Sequence, residues 1–162
     1  MAGSAGCLTA ALLPEDLKAE AWENFPQRAL ELFANERKTC SEAIVMACCE
    51  ALGIDDSELS CAVLGFASGI AGMGKTCGVV TASSMMLSLL EARQMNPYKR
   101  RKKLTFMAIK SYMSQFNERF GHTDCRKLIE VSTSEAKKSV RRNKCERYVL
   151  HGARMLMRQI NK

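Results

Sequence analysis

Helix start and stop signals divide this chain into segments whose apolar residues recur at helical rather than strand spacing. Thr39–Glu42 has the pattern of a capping box, and Gly53 is placed to end the helix that it starts. Asn96-Pro97 and Gly121 bound a longer segment in the same way. No alternating pattern is long enough to indicate a strand, so the sequence predicts an all-α protein.

The 162 residues suit one compact domain, and we expect about eight helices in an irregular or orthogonal bundle. Phe25-Pro26 is expected to break the first helical region, which separates an N-terminal helical extension, residues 1–26, from the main domain, residues 27–162. The apolar segment after Cys77 is expected to be central to the core. Helices are predicted at Pro14–Trp22, Gln27–Glu36, Cys40–Leu52, Asp55–Phe66, Cys77–Gln94, Asn96–Phe120, Cys125–Val131, from Ser134, and at Cys145–Ile160.

Charge is divided unevenly along the chain, because residues 1–90 carry a net charge of −6 and residues 91–162 carry +13. The basic half, including the run Lys99–Lys103, could bind an anionic partner. A basic face against an acidic one, or a solvated helix surface, is the preferred interpretation. No aromatic-rich nucleic-acid motif accompanies the charge, so nucleic acid is not an expected partner.

The chain shows no convincing targeting segment and no run of membrane-spanning length, so a cytoplasmic protein with reduced thiols is expected. Eight cysteines in such a protein indicate metal binding or redox chemistry rather than a disulfide scaffold.

Four of these cysteines stand at predicted helix starts: Cys40 in its capping box, Cys77 after a glycine-rich run, Cys125 after Gly121, and Cys145 in a second capping-box-like segment. The free amide groups and positive dipole end of a helix N-terminus favour the thiolate, which is the form that binds metals and attacks disulfides. The spacing itself matches neither a zinc finger nor a common ferredoxin. The helix-start positions therefore carry the hypothesis of a thiolate cluster.

The order of these motifs resembles the redox-active protein family named for its four-cysteine pattern, C–CGAxxG–C–C. The matching segments are Thr39–Ala43, Gly65–Gly78, Glu118–Arg126 and the helix after Cys145, which cover roughly residues 27–160 in order. The resemblance implies a small redox protein whose four cysteines act together. A similar domain occurs in split-Soret cytochromes, where the cysteines are thought to hold an iron–sulfur cluster. It therefore implies that the metal ligands here are Cys40, Cys77, Cys125 and Cys145.

The match is not complete. Aligned as Cys-Gly-Ala-x-x-Gly from Cys77, the family's Ala is Val79 and its last Gly is Ala82, and both replacements add side-chain volume. The other cysteines lie outside the pattern: Cys7, Cys48, Cys49 and Cys61. The last three lie on predicted helices and are expected to be small buried hydrophobic residues, with a second metal site as the alternative.

We therefore expect an iron–sulfur cluster that transfers electrons or senses redox state, in an oxidoreductase component if the protein is enzymatic. The alternatives are a thiol/disulfide redox protein without metal, and a basic helical interaction module with structural zinc. An acidic redox protein is the expected partner, and a homodimer is a further option. Four residues close to the ligands in sequence are candidates to tune them: Thr39, Thr76, Gly78 and His122.

A competing motif overlaps the second cysteine segment. Gly69–Thr76 fits G-x-x-x-x-G-K-[ST], with Gly69 and Gly74 as its glycines, so Lys75 would contact phosphate and Thr76 would bind Mg²⁺. The segment before it has a helical pattern rather than that of a buried parallel strand. Nucleotide or other anion binding is therefore the alternative hypothesis, and a tight turn that delivers Cys77 is the preferred one.

Overall fold

The computed structural model describes residues 15–94, 96–129 and 137–160. This part of the chain is mostly helical and contains no strand, which confirms the all-α prediction. It forms seven α-helices and a short 3₁₀ helix at Leu64–Phe66. The helices are α1 Glu15–Ala34, α2 Cys40–Leu52, α3 Ser57–Val63, α4 Gly78–Arg93, α5 Tyr98–Phe120, α6 Cys125–Ile129 and α7 Lys137–Ile160. Cys7 and the predicted helix start at Ser134 lie outside the described residues.

The described chain has seven helices rather than about eight because predicted helices merge at both ends. The break predicted at Phe25-Pro26 is wrong, since α1 continues through both residues. Pro26 removes one backbone hydrogen bond, but Phe25 is fully buried and its ring stacks on that of Trp22 with centroids 5.2 Å apart. Packing of α1 on α2 and α7 outweighs the local breaker. The two last predicted helices are likewise one helix, α7.

Helix α4 lies at the centre of the fold, as its apolar sequence predicted. It packs against α2, α5 and α7, and Val79, Val80 and Met86 on it are at most 1% exposed. On α5, Tyr112 and Phe116 are fully buried. This arrangement holds the N-terminal ends of α2 and α4 close to one wall of α7.

Three helices are joined by one buried polar group. The Tyr112 hydroxyl on α5 donates to the Gly152 carbonyl on α7 at 3.1 Å. The Tyr112 hydroxyl oxygen in turn accepts a hydrogen bond from the Ser83 hydroxyl on α4 at 3.0 Å. Tyr112 and Ser83 are fully buried, and each hydroxyl has a partner, as buried polar groups require. The close approach of α4 and α7 at this point depends on Gly152, because a Cβ there would meet Val79 Cγ1 and would lie 3.0 Å from the Tyr112 hydroxyl oxygen.

We expect Gly152→Ala to lower the free energy of unfolding by about 1–3 kcal/mol, because the added methyl overpacks a filled core. Gly65→Ala is the matched control, since no atom lies within 4 Å of a Cβ at that position. Its effect is expected to stay below about 1 kcal/mol. Urea unfolding followed by far-UV circular dichroism measures both, and equal destabilisation of the two variants would contradict this packing.

The cysteines outside the family pattern divide into two groups. Cys48 and Cys49 on α2 are fully buried, which confirms that prediction. The prediction for Cys61 is wrong, because it is exposed on α3, a helix whose buried residue is Val63. In the described residues no helix is both long enough and apolar enough to cross a membrane.

Candidate metal centre

The four cysteines of the motif line one cavity of about 400 Å³. Cys40 is the first residue of α2, Cys77 is the N-cap of α4, Cys125 is the first residue of α6, and Cys145 lies on α7. Four elements that are distant in sequence therefore meet at one place. The cavity lies within the size range of pockets that hold cofactors and small ligands.

Cys40 is positioned by the predicted capping box. Thr39 Oγ1 accepts from the Glu42 amide at 3.3 Å, and the Thr39 amide donates to Glu42 Oε2 at 2.9 Å. The backbone amides of Ser68 and Gly78 act to lower the pKa of the Cys40 thiol, against the effect of burial. Amide groups of separate segments thus favour a thiolate at this sulfur.

Cys77 and Cys125 are placed side by side by pairing between the glycine-rich loop and the start of α6. The Cys77 amide donates to the Thr123 carbonyl at 2.8 Å, and the Cys125 amide donates to the Lys75 carbonyl at 2.6 Å. Thr76 and Asp124 form an isolated β-bridge between these two bonds. The interpretation of the glycines as a turn that delivers Cys77 therefore agrees with the structure.

Gly69 allows this loop to lie directly on Cys125. Its φ is +72°, and a Cβ there would lie 2.6 Å from Cys125 Cβ and 2.7 Å from the Lys75 backbone nitrogen. Ser68 and Ile70 on either side also have positive φ, at 53° and 61°. Such conformations are costly for residues with a side chain, and for β-branched Ile70 most of all, so the surrounding contacts must hold them in place.

Gly69→Ala is expected to destabilise the protein by about 2–4 kcal/mol, because a left-handed backbone and a steric clash add together. Gly72→Ala separates these two causes, since Gly72 has a φ of +81° but no atom lies within 4 Å of its Cβ position. We expect Gly72→Ala to cost only about 1 kcal/mol. Thermal unfolding of both variants measures these effects. Equal shifts of the two transition temperatures would contradict the close packing of Gly69 on Cys125.

Cys145 differs from the prediction. It is the ninth residue of α7 rather than part of a helix start. The capping-box prediction at Asn143–Glu146 is wrong because the chain is already helical there, so no free amide groups remain to be capped. The thiol reaches the cavity because Arg142, Cys145 and Tyr148 recur every three residues and share one face of α7, and all three line the cavity.

Burial decides the protonation of the cysteine thiols. It raises the pKa of Cys40 even though backbone amides at the sulfur act in the opposite direction. Burial also raises the pKa of Cys77 well above its usual value, and the neighbouring Cys40, Cys125 and Cys145 raise it further. At these two residues the backbone amides favour the thiolate, as predicted, but burial has the larger effect on the pKa. A cation at the centre would supply the missing stabilisation of the thiolates.

Basic side chains, which the sequence interpretation missed, border the same cavity. Arg37, Lys38 and Arg142 line it, and no Asp or Glu is among the described residues that do. Arg142 Nη2 donates to the carbonyls of Phe33 and Ala34, so it is fixed to the end of α1. The signal that could have identified Arg142 is its spacing of three residues from Cys145. These cations would offset part of the charge of four thiolates.

The four proposed tuning residues are in different environments. Thr39 lines the cavity and caps α2. Gly78 leaves space for the Cys40 sulfur, which would lie 2.6 Å from a Cβ at position 78. Thr76 pairs with Asp124 and does not line the cavity, and His122 is exposed outside it. Of the four, Thr39 and Gly78 therefore lie at the candidate centre.

The glycine-rich loop does not have the properties of a phosphate-binding loop. The backbone amides from Ile70 to Lys75 all donate to carbonyls within residues 65–70, whereas a phosphate-binding loop directs such amides at its ligand. The loop also follows helices α3 and Leu64–Phe66 rather than a strand. Lys75 is exposed and lies outside the cavity. This geometry gives no support to nucleotide binding at Gly69, Gly74, Lys75 and Thr76.

The cavity is not a compact site for one ion. In residues 15–94, 96–129 and 137–160, no group of three or more His, Cys, Asp or Glu side chains is arranged to hold a single metal ion. Four cysteine thiols are also the donor set that holds common iron–sulfur clusters.

The fold and this site define an all-α protein with four cysteines converging from separate segments. The family model described as "Putative redox-active protein (C_GCAxxG_C_C)" matches residues 38–159. The chain belongs to this family, which supports a redox role. Neither the curated proteins nor the solved structures contain a match to it.

The two departures expected in the second cysteine segment, Val79 and Ala82, are both buried in the core, at 1% and 0% exposure. Both lie on α4, which packs against α2, α5 and α7. Their added volume is therefore accommodated within the core.

Proposed function

We propose that this chain is a small redox protein that holds an iron–sulfur cluster with Cys40, Cys77, Cys125 and Cys145 and uses it for electron transfer or redox sensing. The observation that carries the proposal is the convergence of these four thiols on one cavity. Membership of a redox-active family supports the redox role itself.

The surroundings of the thiols favour a cluster over the two alternatives. A structural zinc ion needs four ligands at one point, whereas the four thiols line a cavity of about 400 Å³. A thiol/disulfide protein needs an accessible thiolate of lowered pKa, whereas burial raises the pKa of both Cys40 and Cys77. Buried thiols beside basic groups suit permanent ligation by a cationic centre.

The chain's own residues would control such a centre in three ways. Backbone amides of Ser68 and Gly78 act to lower the pKa of the Cys40 thiol, and the Val79 amide acts in the same direction on Cys77. Arg142 places a positive charge at the cavity wall. Leu128 and Ile129 line the cavity with apolar side chains on the α6 side. A cluster, when bound, supplies one-electron oxidation and reduction at a potential that these features set.

Purification without exposure to air provides the test. We expect brown protein with iron and acid-labile sulfide in similar molar amounts, charge-transfer absorption in the visible range, and an EPR signal in one redox state. Colourless protein that contains zinc alone would contradict the proposal and support the structural alternative. Protein without metal that forms two disulfides reversibly among the four cysteines would support the thiol alternative.

A further inference from the structure

A stripe of basic side chains runs along one exposed face of α7. Arg147, His151, Arg154 and Arg158 recur at three- or four-residue spacing, which places them on the same side of the helix. The stripe is about 16 Å long at the helical rise per residue. Arg119 of α5 extends it, since Arg119 Nη2 lies 3.3 Å from His151 Nδ1. We refer to these five residues as the basic stripe.

The basic stripe has no counter-charge in the described part of the chain. All four of its arginines are exposed, and none of them forms a salt bridge with a described carboxylate. The positive charges of the stripe affect His151. Burial lowers the pKa of its imidazole most, and the four neighbouring arginines lower it further. An anionic partner would relieve this repulsion.

The basic stripe lies close to the cysteine cavity. The guanidinium carbons of Arg119 and Arg147 both lie 5.7 Å from the ring centroid of Phe120. Phe120 makes an edge-to-face contact with Tyr148 at 5.0 Å between centroids, and Tyr148 lines the cavity. A partner seated at this end of the stripe is therefore separated from the cavity by two aromatic rings.

We propose that the basic stripe is the docking site for an acidic protein that carries a one-electron cofactor. The inference rests on the proposed function of the cysteine centre. The docked carrier loses one electron and the centre gains it, or the reverse, and no bond or proton is moved. Arginine suits this role because its planar fork pairs with carboxylates in two-point contacts.

An acidic carrier fits better than nucleic acid. The aromatic ring at the stripe, Phe120, is half-buried beneath Arg119 and Arg147, so it offers no open face for stacking of bases. A short distance between the stripe and the cavity favours electron transfer from a docked carrier, whereas binding of a nucleic-acid phosphate backbone does not require it. The separate basic run at Lys99–Lys103 is at the opposite end of α5 from Arg119 and has no such connection.

Two charge-reversal variants with the same net change test the site. The first is Arg147→Glu with Arg154→Glu, in the basic stripe, and the control is Lys99→Glu with Lys103→Glu, at exposed positions of α5. A fluorescein-labelled oligoglutamate peptide is titrated with each full-length protein at low salt, with and without iron. The reduced iron-loaded proteins are then mixed with ferricyanide or with hexaamminecobalt(III) in a stopped-flow instrument.

The stripe variant is expected to bind the peptide about tenfold more weakly, to react about tenfold more slowly with ferricyanide, and to react faster with hexaamminecobalt(III). The control should change each value less than about threefold, and about 0.5 M salt should remove the differences. Equal effects of the two variants, or a stripe-dependent preference for a DNA duplex over the peptide with unaltered rates, would overturn the docking site. Wild-type protein that holds no iron and reacts with neither oxidant would instead overturn the proposed function, and the docking site with it.

Discussion

Replacement of Cys77 by serine is expected to abolish the visible absorption of the centre and to lower bound iron at least tenfold. Cys77 is 5% exposed, caps α4 and faces the other three thiols across the cavity. Serine preserves the shape of the side chain but replaces a soft sulfur ligand by a hydroxyl, which iron in a cluster binds poorly. The measurement is iron and acid-labile sulfide per chain after anaerobic purification.

Cys61→Ser is the matched control for this prediction. It makes the same chemical change at an exposed position of α3 that does not line the cavity. We expect it to keep the full iron content and spectrum. Far-UV circular dichroism of both variants shows whether the fold survives without the centre. Iron content in Cys77→Ser equal to that of Cys61→Ser would contradict the assignment of the ligands.

The reduced protein is expected to lose about 5 kcal/mol of stability between pH 9 and pH 11, close to the whole stability of many domains. Burial raises the pKa of the Cys49 thiol to about 12, and it raises the pKa of Cys48 even further. Both thiols therefore stay protonated in the folded protein while those of the unfolded chain ionise above about pH 8.5. The stability that they contribute is full below that pH and is lost as the pH rises. Burial of Tyr112 raises its pKa and adds to the loss.

Urea unfolding of reduced protein at a series of pH values measures this loss. The variant Cys48→Ala with Cys49→Ala removes both thiols from the buried face of α2. It is expected to be less stable at pH 7, because two core side chains are shortened, but to show a much smaller decrease between pH 9 and pH 11. A decrease of the same size in the variant would show that these thiols do not control alkaline unfolding.

The parts of the site that were predictable from sequence are those that local chemistry determines. The capping box at Thr39–Glu42 forms as its residue pattern indicates, and Gly53 and Gly121 end their helices in the left-handed conformation. The helix start predicted at Cys145 is wrong, because a similar residue pattern there lies inside α7. The break predicted at Pro26 is wrong for a related reason: burial of its neighbours outweighs the local effect of a proline.

The convergence of the cysteines depends on contacts that local sequence does not encode. The pairing of the glycine-rich loop with Thr123–Arg126 joins segments about fifty residues apart, and only packing of the whole domain selects it. The role of Arg142 follows from the approach of α7 to the end of α1. The phosphate-loop pattern supported only an alternative hypothesis, because it records residue types, whereas the direction of the loop amides depends on the fold.

X-ray absorption at the iron edge examines the coordination sphere most directly. For anaerobically prepared wild-type protein we predict a first shell made only of sulfur and a second shell of neighbouring iron, both absent when Cys40, Cys77, Cys125 or Cys145 is replaced. Iron surrounded by nitrogen or oxygen, or a sulfur shell that persists after all four replacements, would contradict the account.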